Sequence, residues 1–423
     1  MMNVVTMQRG RFGHRPRNDP RYYGGEYPFI QTGSVVNASY DNSKIEFSQT
    51  LNELGLSTSR LCSEKSLLIT IAANIGYSAI LDYAACFPDS IVALKPVNKK
   101  ISIEYLNVYL RSIRSYVELL APQAAQKNIN QKQLSPIPII VPPSSIQHRI
   151  VEIMDGAYDR KKQKEKEAHD LLESINSYLL DELGIAMPPE EENTIKERMF
   201  YTQSKDVLGG RYDPFFHKKI YDKYDNAIHL GDNKIKKLGC FIKYITYGAS
   251  VDNCYTESGI PLLRIKDLKP NKIDSKDVVF LPIEMEKKLR TSRLTTNDIL
   301  ISRSGTIGVC SVVDETHDGY AFGSFMIKFS VSNINPQYIA YVINSDIGKN
   351  YFERHRIGAI QGNITIPVIE SMPIPTPPVE KQNTIVKNIN NIRKRAKNYM
   401  QQATNAVETA KSQVEKILLE GNT

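Results

Sequence analysis

The sequence predicts an α+β protein in which two similar heads of mixed sheet and helix are joined by two long helices. The helices are expected to form an antiparallel coiled coil with a pseudo-twofold internal repeat. Three observations lead there. The stretch from Asn128-Ile129 through Pro142-Pro143 to Gln147, Ile150 and Val151 recurs as Asn363-Ile364, Pro377-Pro378, Gln382, Ile385 and Val386. Short apolar runs of strand character lie between loops ahead of each copy. Each copy then opens a long, charged helix with a heptad-like seam.

The repeat keeps a shift of 235 (147 to 382) across 24 residues without a gap, nine of them identical. Composition alone gives roughly one or two matches in such a window. Further anchors lie upstream. Leu68-Ile69-Thr70 and Asn74-Ile75-Gly76 match Leu300-Ile301-Ser302 and Thr306-Ile307-Gly308, and Pro28-Phe29-Ile30 matches Pro261-Leu262-Leu263. The shift is 238 at Gly10/Gly248 and 232 at Gly76/Gly308, so insertions accumulate inside the heads while the helix junction stays in register. Residues 200–238 have no counterpart in the first copy. Either they belong to the connection or the first head is short at its opening.

Taken in order, Leu67–Ala73 and Ser90–Leu94 read as buried strands, and Ser102–Leu120 has apolar residues at helical spacing. Pro136–Pro143 is an extended exit that joins neither flanking helix. A helix is expected from Ser144-Ser145, as N-caps, to a stop at Gly184. Its seam is Ile150, Met154, Ala157, Ala168, Leu171, Ile175 and Tyr178, interrupted by Lys161 and Lys164. Met187–Glu192 is a polar linker. The second head has strand-like Ile260–Ile265 and Asp298–Ser302 and its own proline exit at Ile374–Pro378. The last helix carries Ile385, Ile389, Ile392, Ala396, Tyr399, Ala403, Ala406, Ala410 and Ile417 on one seam, and forty helical residues span roughly 60 Å. The expected divisions are 1–143, 144–184, 185–199, 200–378 and 379–420.

With 423 residues, 41% hydrophobic and 24% charged, the chain reads as globular and soluble. A net charge of +8 permits a polyanion partner without requiring one. The five cysteines are scattered, which reads as reduced thiols rather than zinc ligands or disulfides. Neither a signal peptide nor a membrane span is apparent, so the expected compartment is the cytoplasm. No phosphate-binding loop, His-Glu-x-x-His pair or nucleophile elbow occurs, so no cofactor, metal or catalytic residue is expected. Asp213-Pro214-Phe215-Phe216 superficially resembles an amino-methyltransferase motif but has one proline where that motif has two. It reads better as a turn leading into aromatic core. Gly305–Gly308 reads as a hairpin turn, because no helix pattern follows it.

What remains is basic, aromatic and amide-rich. In the first head Arg9, Arg11, Arg15, Arg17 and Arg21 lie close to Tyr22 and Tyr23. Arginine pairs with guanine edges or phosphates, and tyrosine stacks or donates. In the second head Lys243, Tyr244, Tyr247, Arg264, Lys266, Lys269, Lys272 and Arg303 are comparable. Gln126 and Lys127 in the first head, and Arg354, Arg356 and Gln361 in the second, form matched polar patches before each proline exit. Asn128 and Asn363 belong to the shared frame, where a structural capping role is the better reading. The candidate interface is therefore nucleic acid, read by loops.

The order and duplication of these features resemble the specificity (S) subunit of type I restriction–modification systems. The residues that carry the resemblance are Ile301-Ser302-Arg303-Ser304-Gly305-Thr306-Ile307-Gly308, Gly362-Asn363-Ile364 before an Ile-Pro-x-Pro-Pro exit, and the Gln-x-x-Ile-Val helix start at Gln147 and Gln382. The resemblance implies two target-recognition domains, each reading one half of a bipartite, asymmetric site in double-stranded DNA. It implies that the helices act as a spacer and dock two methyltransferase subunits, with restriction subunits completing the complex and no catalysis in this chain. The alternatives are a recognition subunit of another restriction class or phage-defence complex, and a coiled-coil scaffold for protein assembly.

Overall fold

The computed structural model describes residues 1, 4–14, 17–98, 100–122, 128–189, 194–208, 210–251, 254–358 and 361–420. The chain divides into two compact units, Met1–His169 with Lys397–Thr423, and Asp170–Ala396.

In the first unit the elements are β1 (Val5–Arg9), β2 (Tyr23–Phe29), α1 (Thr32–Asp41), β3 (Gln49–Leu51), α2 (Glu53–Thr58), β4 (Leu61–Cys62), β5 (Ser66–Thr70), β6 (Ser78–Leu81), β7 (Ala85–Cys86) and β8 (Ile91–Pro96). Then come α3 (Ile103–Ser112), α4 (Arg114–Leu119), α5 (Gln131–Leu134) and the long α6 (Ser144–Leu183). One antiparallel sheet has the order β1-β8-β5-β6 and a second has β3-β2-β7-β4, with β2 and β7 parallel. The run 102–120 is not one helix: it breaks at Ile113 (φ −96°, ψ 14°). The break lets both pieces pack Leu110 and Val117 into one core.

The second unit begins with the last turns of α6 and continues with α7 (Ile195–Arg198), α8 (Ser204–Val207), α9 (Lys219–Leu230), β9 (Ile235–Lys237), β10 (Ile242–Tyr247), β11 (Ile260–Leu263), β12 (Leu268–Lys269), β13 (Lys272–Ile273) and β14 (Val279–Leu281). It goes on with α10 (Glu286–Leu289), β15 (Ile299–Ser302), β16 (Cys310–Val312), β17 (Ala321–Phe322), β18 (Met326–Val331), α11 (Pro336–Asn344), α12 (Asp346–His355), α13 (Ile366–Ser371), β19 (Pro373–Pro375) and α14 (Val379–Glu420). Its main sheet runs β10-β18-β15-β16, and β14-β11-β17 again has one parallel pair. The main sheets of the two units thus share one strand order with different loops.

Individual atoms repeat as well. Gly10 donates to the Ile91 carbonyl and Gly248 to that of Met326, and a Cβ at either glycine would lie 2.3 or 2.2 Å from a backbone oxygen, Pro88 or Gly323. Only glycine permits that approach. Thr70 and Ser302 each accept, through the side-chain oxygen, the N–H that closes the following turn, from Tyr77 and Val309. Gly305 and Gly308 take positive φ in that turn between β15 and β16, where the sequence predicts a hairpin turn. Asn128 and Asn363 work through their backbones, bridging Ala72 and Ser304, whereas helix α5 is capped by Asn130. The two asparagines thus serve the frame structurally, as expected, but by bridging and not by capping.

Ser144 is already helical, so the serines are not the N-cap of α6; Pro143 precedes it and accepts from Ile146 and Gln147. Gly184 (φ +66°) follows the helix as its stop. Within the first unit Met154 and Ala157 share a core with Val407, Ala410 and Val414, and Lys164 lies 4.5 Å from the Tyr399 ring centroid. Position rises on one helix as it falls on the other, so they run antiparallel there. The seam's lysines are thereby accounted for: Lys164 covers Tyr399, and Lys161 donates to the Tyr40 carbonyl. Within the second unit Leu179, Leu180 and Leu183 share a core with Ile385, Val386 and Ile389, and Asn388 meets Tyr178 while Lys381 meets Glu182, so the helices are again antiparallel. Residues 219–237 are built into this unit, α9 against α12 and β9 paired with β19. They are therefore part of its fold and not merely a connection.

Candidate nucleic-acid interface

The first unit presents its basic loop between β1 and β2. Phe12 is buried at the base of the loop and packs against Tyr22, Tyr23 and Phe29, with ring centroids 5.1–6.3 Å apart. His14 stacks on Tyr22 at 4.0 Å. The two tyrosines therefore spend their rings holding the loop together, and burial pushes the Tyr23 hydroxyl pKa up. Arg17 pairs with Asp89, whose carbonyl also accepts from Arg9 Nε at 2.7 Å. Arg21 grips Asp19 at 2.7 Å, which holds that carboxyl well below its usual range. Arg11 is exposed and its guanidinium engages no partner among the described residues. Arg15, Gln126 and Lys127 lie outside the described residues.

In the second unit Lys266, Lys269 and Gln361 come together. They line a cleft of about 560 Å³ with Ser304, Gly305, Thr306 and the half-exposed Phe325. The cleft floor is the turn after β15, fixed by the bond from Arg303 N–H to the Phe325 carbonyl at 2.9 Å. Arg303 lies beside it with its guanidinium 4.8 Å from the Tyr247 ring centroid, and its buried Nε finds no hydrogen-bond partner among the described residues. Lys243 is exposed on β10. Arg264 is drawn away, donating to the Asp277 carbonyl at 2.6 Å, and Lys266 is balanced by Asp277 at 3.6 Å.

Arg354 has a different task from the one its sequence position suggests. Its side chain is 13% exposed and bonds Asp222 (2.9 Å), Asp225 (2.6 Å) and the Phe216 carbonyl (3.1 Å). Each of its three guanidinium nitrogens is engaged, the two terminal ones clamping α9 onto α12 and Nε holding the Phe216 carbonyl, which commits the fork to the fold. Arg356 pairs with Glu353 and lies 5.0 Å from the Phe215 ring centroid. Asp213 accepts the Phe216 N–H at 3.1 Å, so 213–216 is a turn; Phe215 packs half-buried against the core of Ile220, Tyr221 and Tyr224, while Phe216 lies under Arg211 and Arg354.

Sequence reading missed Ser304, Thr306 and Phe325 in the second unit. It also missed Gln8, Arg60, Lys95 and Gln131, which converge with Arg9 in a cleft of the first unit. Ser304 and Thr306 stand in the Ile301–Gly308 turn, which reads as frame, while Gln8, Arg60, Lys95 and Gln131 come from separate elements that no local pattern joins. Among the described residues, no group of three metal-ligating side chains and no helix long and apolar enough to cross a membrane occurs.

The family model for the type I restriction modification DNA specificity domain matches residues 11–174 and again 222–409. The type I restriction enzyme MjaVIII specificity subunit of Methanocaldococcus jannaschii is 23% identical over 339 residues, covering 77% of this chain and 71% of that protein. The StySPI specificity subunit of Salmonella potsdam is 26% identical over 146 residues, 33% of this chain and 31% of that one. A solved structure concerned with complex assembly and conformational transition of the type I R-M system covers 98% of this chain and 97% of its own, at TM-score 0.55 and 14% identity, and so shares the fold. With two copies of the domain spanning most of its length, the chain belongs to the type I restriction–modification DNA specificity family, whose members are the recognition components and not the catalysts of their systems.

Proposed function

We propose that each head reads one half of a bipartite, asymmetric site in double-stranded DNA. The two long helices form an antiparallel coiled coil, set the spacer between the half-sites and dock two methyltransferase subunits. Restriction subunits join the same complex. The observation that carries this reading is a single frame used twice with divergent loops: strand order, glycine contacts and helix junction repeat, while the side chains above them do not. A frame that is kept and a surface that varies is what two different readings on one scaffold require. Half-sites one helical turn apart lie roughly 34–36 Å centre to centre, within reach of forty-residue helices.

The second head would read through Lys266, Lys269, Gln361 and Phe325, with Lys243, Tyr247 and Arg303 beside them. The first would use Arg11, Arg17 and Arg21 on the loop braced by Phe12. Good bidentate pairs discriminate by about 1–3 kcal/mol each, so a few suffice. The pairing of Val407 and Ala410 with Met154 and Ala157, and of Leu179 with Ile385, supports the coiled coil.

The test is to co-express the chain with its neighbouring methyltransferase and sequence the methylome. A two-part motif with an adenine modified in each half is expected. Stable association without any bipartite motif would favour an assembly scaffold.

A further inference from the structure

Gln8, Arg9, Arg60, Ala93, Lys95 and Gln131 line an open cleft of about 590 Å³ in the first unit. The register explains how it forms. Gln8 lies opposite Ala93 and Thr6 opposite Lys95 in the antiparallel pair of β1 and β8, so all four share one face of the sheet. Ala93 ends at its Cβ, which leaves the floor low. Arg60, just before β4, and Gln131, opening α5, complete the walls.

The shared frame does not produce this space by itself. Thr246 pairs with Lys328 in the second unit as Gln8 pairs with Ala93 in the first, and Leu300 meets Lys328 as Leu68 meets Ala93. Lys328 therefore stands where Ala93 stands. Its ammonium is consumed by Asp298 at 2.8 Å and the Arg293 carbonyl at 2.5 Å. An inward-facing ion pair occupies one unit and an open basic cleft the other.

The lining is made of donors. Arg60, Gln8 and Gln131 use no side-chain bond among the described residues, Arg9 commits only Nε, and Lys95 meets the largely exposed Glu64 at 3.0 Å. A duplex exposes its sugar–phosphate backbone as a ridge and recesses its base edges within the grooves. A concave, cationic, donor-lined cleft fits the ridge. We infer that this cleft seats backbone phosphates beside the half-site bound by the first head, an anchor that positions DNA without reading it. The inference rests on the DNA-specificity reading above.

The experiment uses the chain assembled with its methyltransferase subunits and duplexes carrying the motif found by methylome sequencing, titrated at several salt concentrations. Arg60→Ala is expected to weaken binding to every sequence by about three- to tenfold at low salt and to reduce the log–log salt slope by about 0.9, with the methylated motif unchanged. Arg60→Lys is expected to restore most of the affinity, because a phosphate accepts either cation whereas a bidentate base contact does not. Relaxation of one motif position in Arg60→Ala, with the salt slope intact, would make the cleft a base reader and overturn the anchor. Unchanged affinity and slope would also overturn it. If the wild-type complex yields no bipartite motif, the underlying reading fails first and the two failures are told apart.

Discussion

Gln147 reaches back from the first turn of α6 and accepts the backbone N–H of Ser102, the N-cap of α3, at 2.9 Å. Gln382 does the same in the second unit, accepting from Asn335, the N-cap of α11, at 3.0 Å. Each amide also donates to a proline carbonyl of the exit, Pro142 or Pro377. A buried tyrosine, Tyr105 or Tyr338, donates its hydroxyl to the exit carbonyl of Ile140 or Pro375 at 2.8 Å. The repeat in the sequence is thus the joint that fixes each long helix to its head.

Gln147→Leu leaves a buried N–H and two carbonyls without partners. Each unsatisfied group costs roughly 1–3 kcal/mol, and partial rescue by water brings the expected loss to about 2–4 kcal/mol. Urea unfolding monitored by circular dichroism checks this, with Gln147→Glu, whose carboxylate would face the Lys100 and Pro142 carbonyls in place of the amide N–H, expected to lose at least as much.

Gly248→Ala places a Cβ 2.2 Å from the Gly323 carbonyl oxygen, a backbone atom that cannot swing aside. Overpacking of this kind costs about 2–3 kcal/mol or more, and Gly10→Ala is expected to match it. Alanine at the exposed Gly33, where a Cβ meets nothing within 4 Å, is the thermal-shift control.

Lys328→Ala strands Asp298 inside the second unit, where both side chains are under 10% exposed. Removing one member of such a pair costs about 3–5 kcal/mol, and replacing both by apolar residues is nearly neutral. Unfolding of the single and double variants gives the coupling directly.

His355 stacks on Tyr351 at 4.2 Å with Nδ1 2.8 Å from the Tyr351 carbonyl, and burial, with the neighbouring Arg354 charge, lowers its pKa. The unfolded ring titrates near about 6.5. Below that pH the unfolded chain takes up a proton that the folded chain resists. The neutral ring's contribution is therefore complete above about pH 6.5 and lost as pH falls. Stability measured between about pH 7.5 and 5.5 should decline less steeply in His355→Phe than in the wild type.

These residues also mark how much was legible beforehand. Gln147, Gln382, Gly10, Gly248 and the paired prolines meet backbone, and a backbone contact tolerates one residue type; their recurrence is visible without coordinates. Side chains of the interface answer to partners far along the chain. Arg354 reads as a free cation until Asp222 and Asp225 close on it from α9. Tyr22 and Tyr23 read as stacking platforms until Phe12 and His14 claim their rings. The cleft of Gln8, Arg60 and Gln131 joins separate elements, so no window of sequence contains it. The break at Ile113 escaped for the opposite reason, since the apolar spacing continues across it while the backbone does not.

The central claim is that one frame carries two independent readers, and methylome sequencing of cells carrying the chain, its methyltransferase and the second-head variant Lys269→Ala/Gln361→Ala tests it most directly. The account predicts a bipartite motif in the wild type and, in the variant, relaxation confined to one half with the other half and the spacer unchanged. Loss of specificity in both halves together, or no two-part motif at all, would contradict it.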